Sequence, residues 1–191
     1  MRVVLAATKQ EVIPTSLKTF TIGVGLIHST LNTSLILSNN DVSEIILTGL
    51  ARSVDKTLKV GDLVTATKII NWQLDLTSFK LNHGSTFDKN GREVGPIELD
   101  PFNETLKKVT LGSADKFLLK SDTKEIELLE NLGVDVVDME SYAVATVAQS
   151  FNIPLKVIRV ISDDYLGNKP KNFKSFLKEA NEKIASLIEI S

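Results

Sequence analysis

Apolar runs rich in β-branched residues recur along the chain at 3–7, 20–24, 44–47, 62–70, 108–111, 134–138 and 155–161. Continuous apolar runs of that length predict buried strands. Between several of them apolar residues return every three or four positions, over 28–38, 121–132, 140–150 and 172–190, which predicts helices with one buried stripe. In the last of these the stripe is Phe173, Phe176, Leu177, Ala180, Ile184 and Leu187. Alternation of this kind predicts a three-layer α/β/α fold around a central mixed, largely parallel sheet, with residues 1–191 in a single domain. The stretch 80–103 has three glycines, two prolines and little periodicity. It reads as a long irregular loop of the kind that often carries function.

Composition narrows the class. The 191 residues, 42% hydrophobic and 24% charged, suit one folded core and neither a disordered nor a fibrous chain. With 22 basic against 24 acidic residues there is no positive excess to hold nucleic acid, which is excluded as a partner. The absence of cysteine removes disulfides, thiolate metal sites and cysteine nucleophiles together. The opening Met1-Arg2-Val3-Val4-Leu5-Ala6-Ala7 is too short for a membrane span and is followed by Lys9 and Glu11. It is expected to be a first strand and not a signal, in a cytoplasmic protein with no membrane partner.

In open α/β sheets ligands gather at the carboxyl ends of the strands. Acidic residues stand at several of those ends: Glu11, Asp75, Glu140, and Asp163 with Asp164. Each alone reads equally as a helix cap or a solvated loop carboxylate; their number points to a site. Gly23-Val24-Gly25 joins a strand to a helix, where backbone amides can meet a polar ligand. A dinucleotide fingerprint would require another glycine at His28, so no such cofactor is expected. Thr48-Gly49-Leu50-Ala51-Arg52-Ser53, followed by Leu58-Lys59-Val60-Gly61-Asp62, forms a further strand, turn and strand unit.

These pieces, with Asp75-Leu76-Thr77-Ser78-Phe79, Gly112-Ser113-Ala114-Asp115-Lys116-Phe117, Val137-Asp138-Met139-Glu140 and Arg159-Val160-Ile161-Ser162-Asp163, resemble the nucleoside phosphorylase superfamily. Within it they are most similar to the bacterial 5'-methylthioadenosine/S-adenosylhomocysteine nucleosidases. The resemblance spans nearly the whole chain and implies hydrolysis of the N-glycosidic bond of a purine nucleoside, with no cofactor and no metal. Such a reaction passes through an oxocarbenium-like state and needs an acid for the leaving base, a carboxylate for water and polar groups for the sugar. By motif match Asp163 is the acid and Glu11 positions the water, while Glu140 binds the ribose hydroxyls. Ser162 and Arg159 orient Asp163 or the water, Gly49 shapes the turn beside them, Met139 lies under the sugar, and Phe117 with the Leu118 backbone meets the base. Core packing is the alternative for Met139 and Phe117.

Two departures stand out. The family has a small Ser or Cys and then Ala-Gly-Gly after its Thr-Gly, where this chain has Leu50-Ala51-Arg52-Ser53; Arg52 either points outward or reaches an anion in the site. The segment between Glu11 and Gly23 is also shorter than in those nucleosidases, a feature shared with futalosine hydrolases. The competing readings are a phosphorylase and a non-catalytic nucleoside-binding homologue. Phosphorylases carry fixed positive charge for phosphate, whereas this chain has Glu11 and Leu47 at the corresponding places. Finally, the segment ending at Phe79 resembles one that crosses a two-fold interface to complete the neighbour's pocket. With Trp72, Leu74 and Leu76 it would leave an apolar patch on a monomer, which predicts a homodimer.

Overall fold

The structure, a computed structural model, describes residues 1–190. In chain order the elements are β1 (Arg2–Ala6), β2 (Lys18–Thr21), α1 (Leu26–Asn39), β3 (Glu44–Leu47), β4 (Leu50–Ser53), β5 (Leu63–Asn71), β6 (Thr86–Phe87), β7 (Glu93–Val94), β8 (Ile97–Glu98), β9 (Lys107–Ser113), α2 (Thr123–Asn131), β10 (Val136–Asp138), α3 (Ser141–Ser150), β11 (Leu155–Asp163) and α4 (Phe173–Ile190). Single turns of tighter helix cover Lys9–Glu11 and Thr77–Phe79.

One mixed sheet runs β2-β1-β3-β11-β4-β10-β9-β5-β8. Most neighbours are parallel; β4 with β10, β5 with β8 and β5 with β11 are antiparallel. Strand β11 serves three partners in turn. Leu155–Val157 follow β3, Ile158–Val160 oppose β5, and Val160–Asp163 follow β4. The strands β11, β4, β10, β9 and β5 thereby close on themselves. The β11 and β4 registers slip between Ile161 and Asp163. This bulge inserts one residue, and such an insertion re-aims the side chains around it; here they are Ser162 and Asp163.

Alternate residues of the strands feed opposite faces, as the pleat requires. Val3, Leu5, Ile45 and Leu47 pack with Leu37 of α1 and Val144, Ala145 and Ala148 of α3. Val4, Ile46, Ile158 and Val160 pack with Ala180, Ile184 and Ile188 of α4. Trp72, Ala114 and Val137 pack with Leu129 of α2. Helices therefore cover both faces of the sheet, as the alternation predicted.

The strand, turn and strand unit read from Thr48 onward is present, with β4 paired in the sheet. Two details depart from the sequence reading. Within 80–103 the chain is not wholly irregular: β6 and β7 form a small hairpin and β8 extends the main sheet. Trp72 does not belong to an exposed patch, since it is 2% exposed and packs under α2.

Candidate active site

A cavity of about 330 Å³ opens at the carboxyl ends of the strands and is lined by Glu11, Leu50, Arg52, Phe117, Leu118, Met139, Glu140, Ser162, Asp163, Lys169 and Phe173, among others. The sheet's parallel order brings these residues together although they are up to 162 positions apart in sequence.

One end is acidic. Glu11 closes the turn after β1, and its Oε2 accepts hydrogen bonds from the Thr8 N–H at 3.1 Å and the Thr8 hydroxyl at 3.4 Å. This capping box fixes the carboxylate over the cavity. Glu140 stands at the start of α3, and its Oε1 accepts the Gly25 N–H at 3.2 Å. Burial pushes the Glu140 carboxyl up to about 7, reinforced by the negative charge of Asp138 and, more weakly, of Glu11, and opposed by Arg159 and the Gly25 amide. Asp138 was quoted in a motif above but given no role, and the structure supplies one. Its Oδ1 accepts the Glu140 and Ser141 N–H groups, capping α3. Its Oδ2 accepts Arg159 Nε at 2.9 Å and Nη2 at 2.6 Å. A fully buried arginine demands a buried acid, and that rule is the signal in the sequence from which the pair could have been found.

Gly49 sits directly behind this end. A Cβ there would lie 2.9 Å from Arg159 Nη1, so any side chain at 49 would push the guanidinium out of place, while Glu11 Cδ at 3.9 Å would stay in ordinary contact.

The other end holds Asp163. Ser162 donates its hydroxyl to Asp163 Oδ2 at 2.7 Å. Lys169 Nζ lies 3.1 Å from Oδ1, yet Oδ1 has no hydrogen bond. The contact is ionic without donor alignment and leaves Oδ1 able to meet a ligand. Lys169 also lies 5.2 Å from the Phe117 ring centroid. Phe117 is 60% exposed, which rules out core packing and leaves its ring available at the mouth. Leu118 is buried and Met139 half-buried in the cavity wall.

Other expectations fared differently. Arg159 does not bind Asp163: its hydrogen bonds go to Asp138 and the Ser141 hydroxyl. Asp75 and Asp164 do not converge on the cavity. Asp75 caps the turn at Thr77, and Asp164 holds the Asn168 N–H and side-chain amide, so for these two the capping explanation wins. Two of the amides after Gly23 are satisfied within the chain, Gly25 by Glu140 and Leu26 by Asp115 at 2.7 Å. Phe79 is 67% exposed on its own turn, away from the cavity. Phe173, read as part of the α4 core stripe, instead lines the cavity at 49% exposure.

Comparison with known proteins identifies relatives of the whole chain. The chain is 28% identical over 174 residues to an aminodeoxyfutalosine nucleosidase of Helicobacter pylori, covering 87% of this chain and 75% of that one. It is 32% identical over 177 residues to a 5'-methylthioadenosine/S-adenosylhomocysteine nucleosidase of Buchnera aphidicola, covering 88% and 70%. The solved 5'-methylthioadenosine/S-adenosylhomocysteine nucleosidase of Campylobacter jejuni superposes with a TM-score of 0.81 at 21% identity, over 98% of this chain and 96% of that one, a likeness of fold. The family model described as the Phosphorylase superfamily matches residues 2–190, and with the fold and the strand-end cavity already in place, the chain belongs to that superfamily.

Proposed function

We propose that this protein hydrolyses the N-glycosidic bond of a purine nucleoside with a substituted 5' position, of the class of 5'-methylthioadenosine, S-adenosylhomocysteine or a futalosine-type compound. The observation that carries the reading is the placing of Glu11, Glu140 and Asp163 on one cavity, with two carboxylates at the end that would face the sugar and one at the end that would face the base. The relatives' names support the same chemistry.

In this reading the bond from C1' to N9 breaks with its electron pair leaving on the purine, while water oxygen bonds to C1'. Glu11, with one oxygen fixed by Thr8, takes the proton of that water. The bound nucleoside displaces Lys169 from Asp163, whose Oδ1, without a hydrogen bond in the free protein, then meets N7 of the departing base and supplies its proton. Glu140 accepts the sugar hydroxyls, and the acidic end favours the positive charge that develops on the ribose. Phe117 stacks on the base. Water is favoured over phosphate because Arg159, the guanidinium at the sugar end, is bound to Asp138 and Ser141 and Glu11 would repel an anion.

The second groove on this face, of about 820 Å³, shares Phe173 with the cavity and continues over Val12, Pro14 and Leu177. The short segment after Glu11 leaves this side open, which supports a substrate whose 5' substituent runs across Phe173. The assembly we propose is a homodimer. Release of free base from a panel of 5'-substituted purine nucleosides, followed by chromatography with and without phosphate, tests the activity. Release independent of phosphate is expected; release only with phosphate would convert the reading to a phosphorylase, and none with any nucleoside would leave a binding protein.

A further inference from the structure

Arg52 occupies a place where relatives of this fold were expected to carry a small residue, and the structure decides which way it points. It pairs across β4 and β11 with Asp163, is 8% exposed and lines the cavity. A guanidinium brings five donors and no acceptor. Here Nη2 makes one long hydrogen bond to the Tyr165 carbonyl at 3.4 Å, and the buried Nε has no partner. Asp164, whose carboxyl feels the charge of Arg52, is already engaged with Asn168. A buried donor left unpaired is costly, so this arginine is under-satisfied until something in the cavity accepts from it.

Its neighbours define what that is. Phe117 offers a stacking face, and Asp163 and Lys169 stand at the same end. A base lying there turns the edge carrying N7 and position 6 toward Asp163, and so toward its strand partner Arg52. On a 6-oxopurine both atoms of that edge are acceptors, whereas a 6-aminopurine offers one acceptor and one donor. With N7 facing Asp163, an arginine donates to O6 of the first and meets a donor clash with the amino group of the second. The same charge favours the oxopurine as it departs, when negative charge spreads over N7 and O6.

We infer that Arg52 is a specificity-determining residue that makes the base end of this cavity select a 6-oxopurine over a 6-aminopurine, which narrows the proposed substrates to 5'-substituted 6-oxopurine nucleosides and away from the two adenosine compounds. The inference rests on the nucleosidase reading for the placement of the base, and it is tested by binding of the free bases, which needs no turnover. Titration calorimetry with hypoxanthine and with adenine is expected to show hypoxanthine bound about tenfold more tightly or better, the scale of a charged hydrogen bond set against a donor clash. In Arg52→Gly the preference should shrink to about threefold or less, or reverse. Arg52→Met keeps the apolar stem without the donors and should behave the same way, which carries the test if the glycine variant is unstable in β4. Equal or tighter binding of adenine by the wild type, failure of both bases to bind, or a preference that survives both substitutions overturns the inference. Base release from the nucleoside panel is scored separately: no release with a hypoxanthine preference intact defeats the hydrolytic reading and leaves base selection standing, whereas hydrolysis indifferent to Arg52 does the reverse.

Discussion

Arg159 and Asp138 form an ion pair with side chains only 2% and 1% exposed, and the same Asp138 caps the helix whose first residue follows Glu140. The pair is therefore the mount on which the sugar end of the cavity is built. Removing one partner strands a buried charge. Asp138→Ala is expected to lower stability by about 3–5 kcal/mol, read by urea unfolding. The double variant Asp138→Ala with Arg159→Met should lose clearly less than the sum of the two single losses, because no unpaired charge is then left inside. Additive losses would show that the two residues do not act as a pair.

Glu140 should make stability depend on pH in a direction opposite to that of an ordinary paired carboxylate. Its carboxyl lies at about 7 in the folded chain against an ordinary 4.5. Below pH 4.5 both states hold the proton and the group is neutral to stability. Between 4.5 and 7 the unfolded chain releases it while the folded chain retains it, so the folded state loses ground by up to about 3 kcal/mol and stays there above pH 7. Glu140→Gln does not titrate. Its stability relative to wild type should rise between pH 4.5 and 7 and then level off, as measured by urea midpoints at pH 5, 6 and 8; a difference independent of pH would contradict it. Because sugar hydroxyls donate to the ionised form, nucleoside affinity of the wild type should rise over the same interval.

Much of this architecture was legible because periodicity reports burial. Strands β1, β3, β9 and β11 and helices α3 and α4 lie within a few residues of their expected bounds, since each pays its apolar stripe into a core of its own face. What was not legible depends on pairing between distant segments. The bulge that turns Ser162 and Asp163 exists only against the register of β4, and no local pattern announces it. Asp138 was hidden by lying two residues from Glu140, where one motif could be explained by one acid. Asp75 and Asp164 misled for the converse reason: a strand-end carboxylate satisfied by its own turn looks the same in sequence as one that faces a ligand. Phe173 sits on the α4 stripe but at the first turn, where the helix has run past its core and meets the cavity.

The two carboxylates at opposite ends should separate in assay. Asp163→Asn keeps shape and can still accept at one atom but cannot supply a proton, so turnover should fall about 10²–10⁴-fold with nucleoside affinity little changed. Glu11→Gln should fall comparably, since an amide holds water without taking its proton. Steady-state kinetics with and without phosphate measures both. A near-wild-type rate for Asp163→Asn removes it from the mechanism, and phosphate-dependent cleavage surviving in Glu11→Gln favours the phosphorylase.

The last prediction concerns association. Helix α1 is inverted relative to an ordinary surface helix: Ser29, Thr33 and Leu37 are its buried residues, while Ile27, Leu31 and Leu35 are 77%, 55% and 51% exposed. These three lie four residues apart on one stripe, and an apolar stripe turned to water marks an interaction surface. Phe79, 67% exposed on the turn after β5, is a second large apolar group without cover. We therefore expect a two-fold homodimer that covers the outer face of α1, with the partner's Phe79 reaching the 5' side of each cavity. Light scattering should give twice the chain mass, and charging the stripe with Leu31→Lys should shift it toward monomer without unfolding. Phe79→Ala should remain dimeric but bind 5'-alkylthio nucleosides about tenfold more weakly, the scale of one lost buried aromatic contact. A monodisperse wild-type monomer with full activity would defeat the assembly, and a dimer whose Phe79→Ala variant binds normally would leave the interface but take Phe79 out of the site.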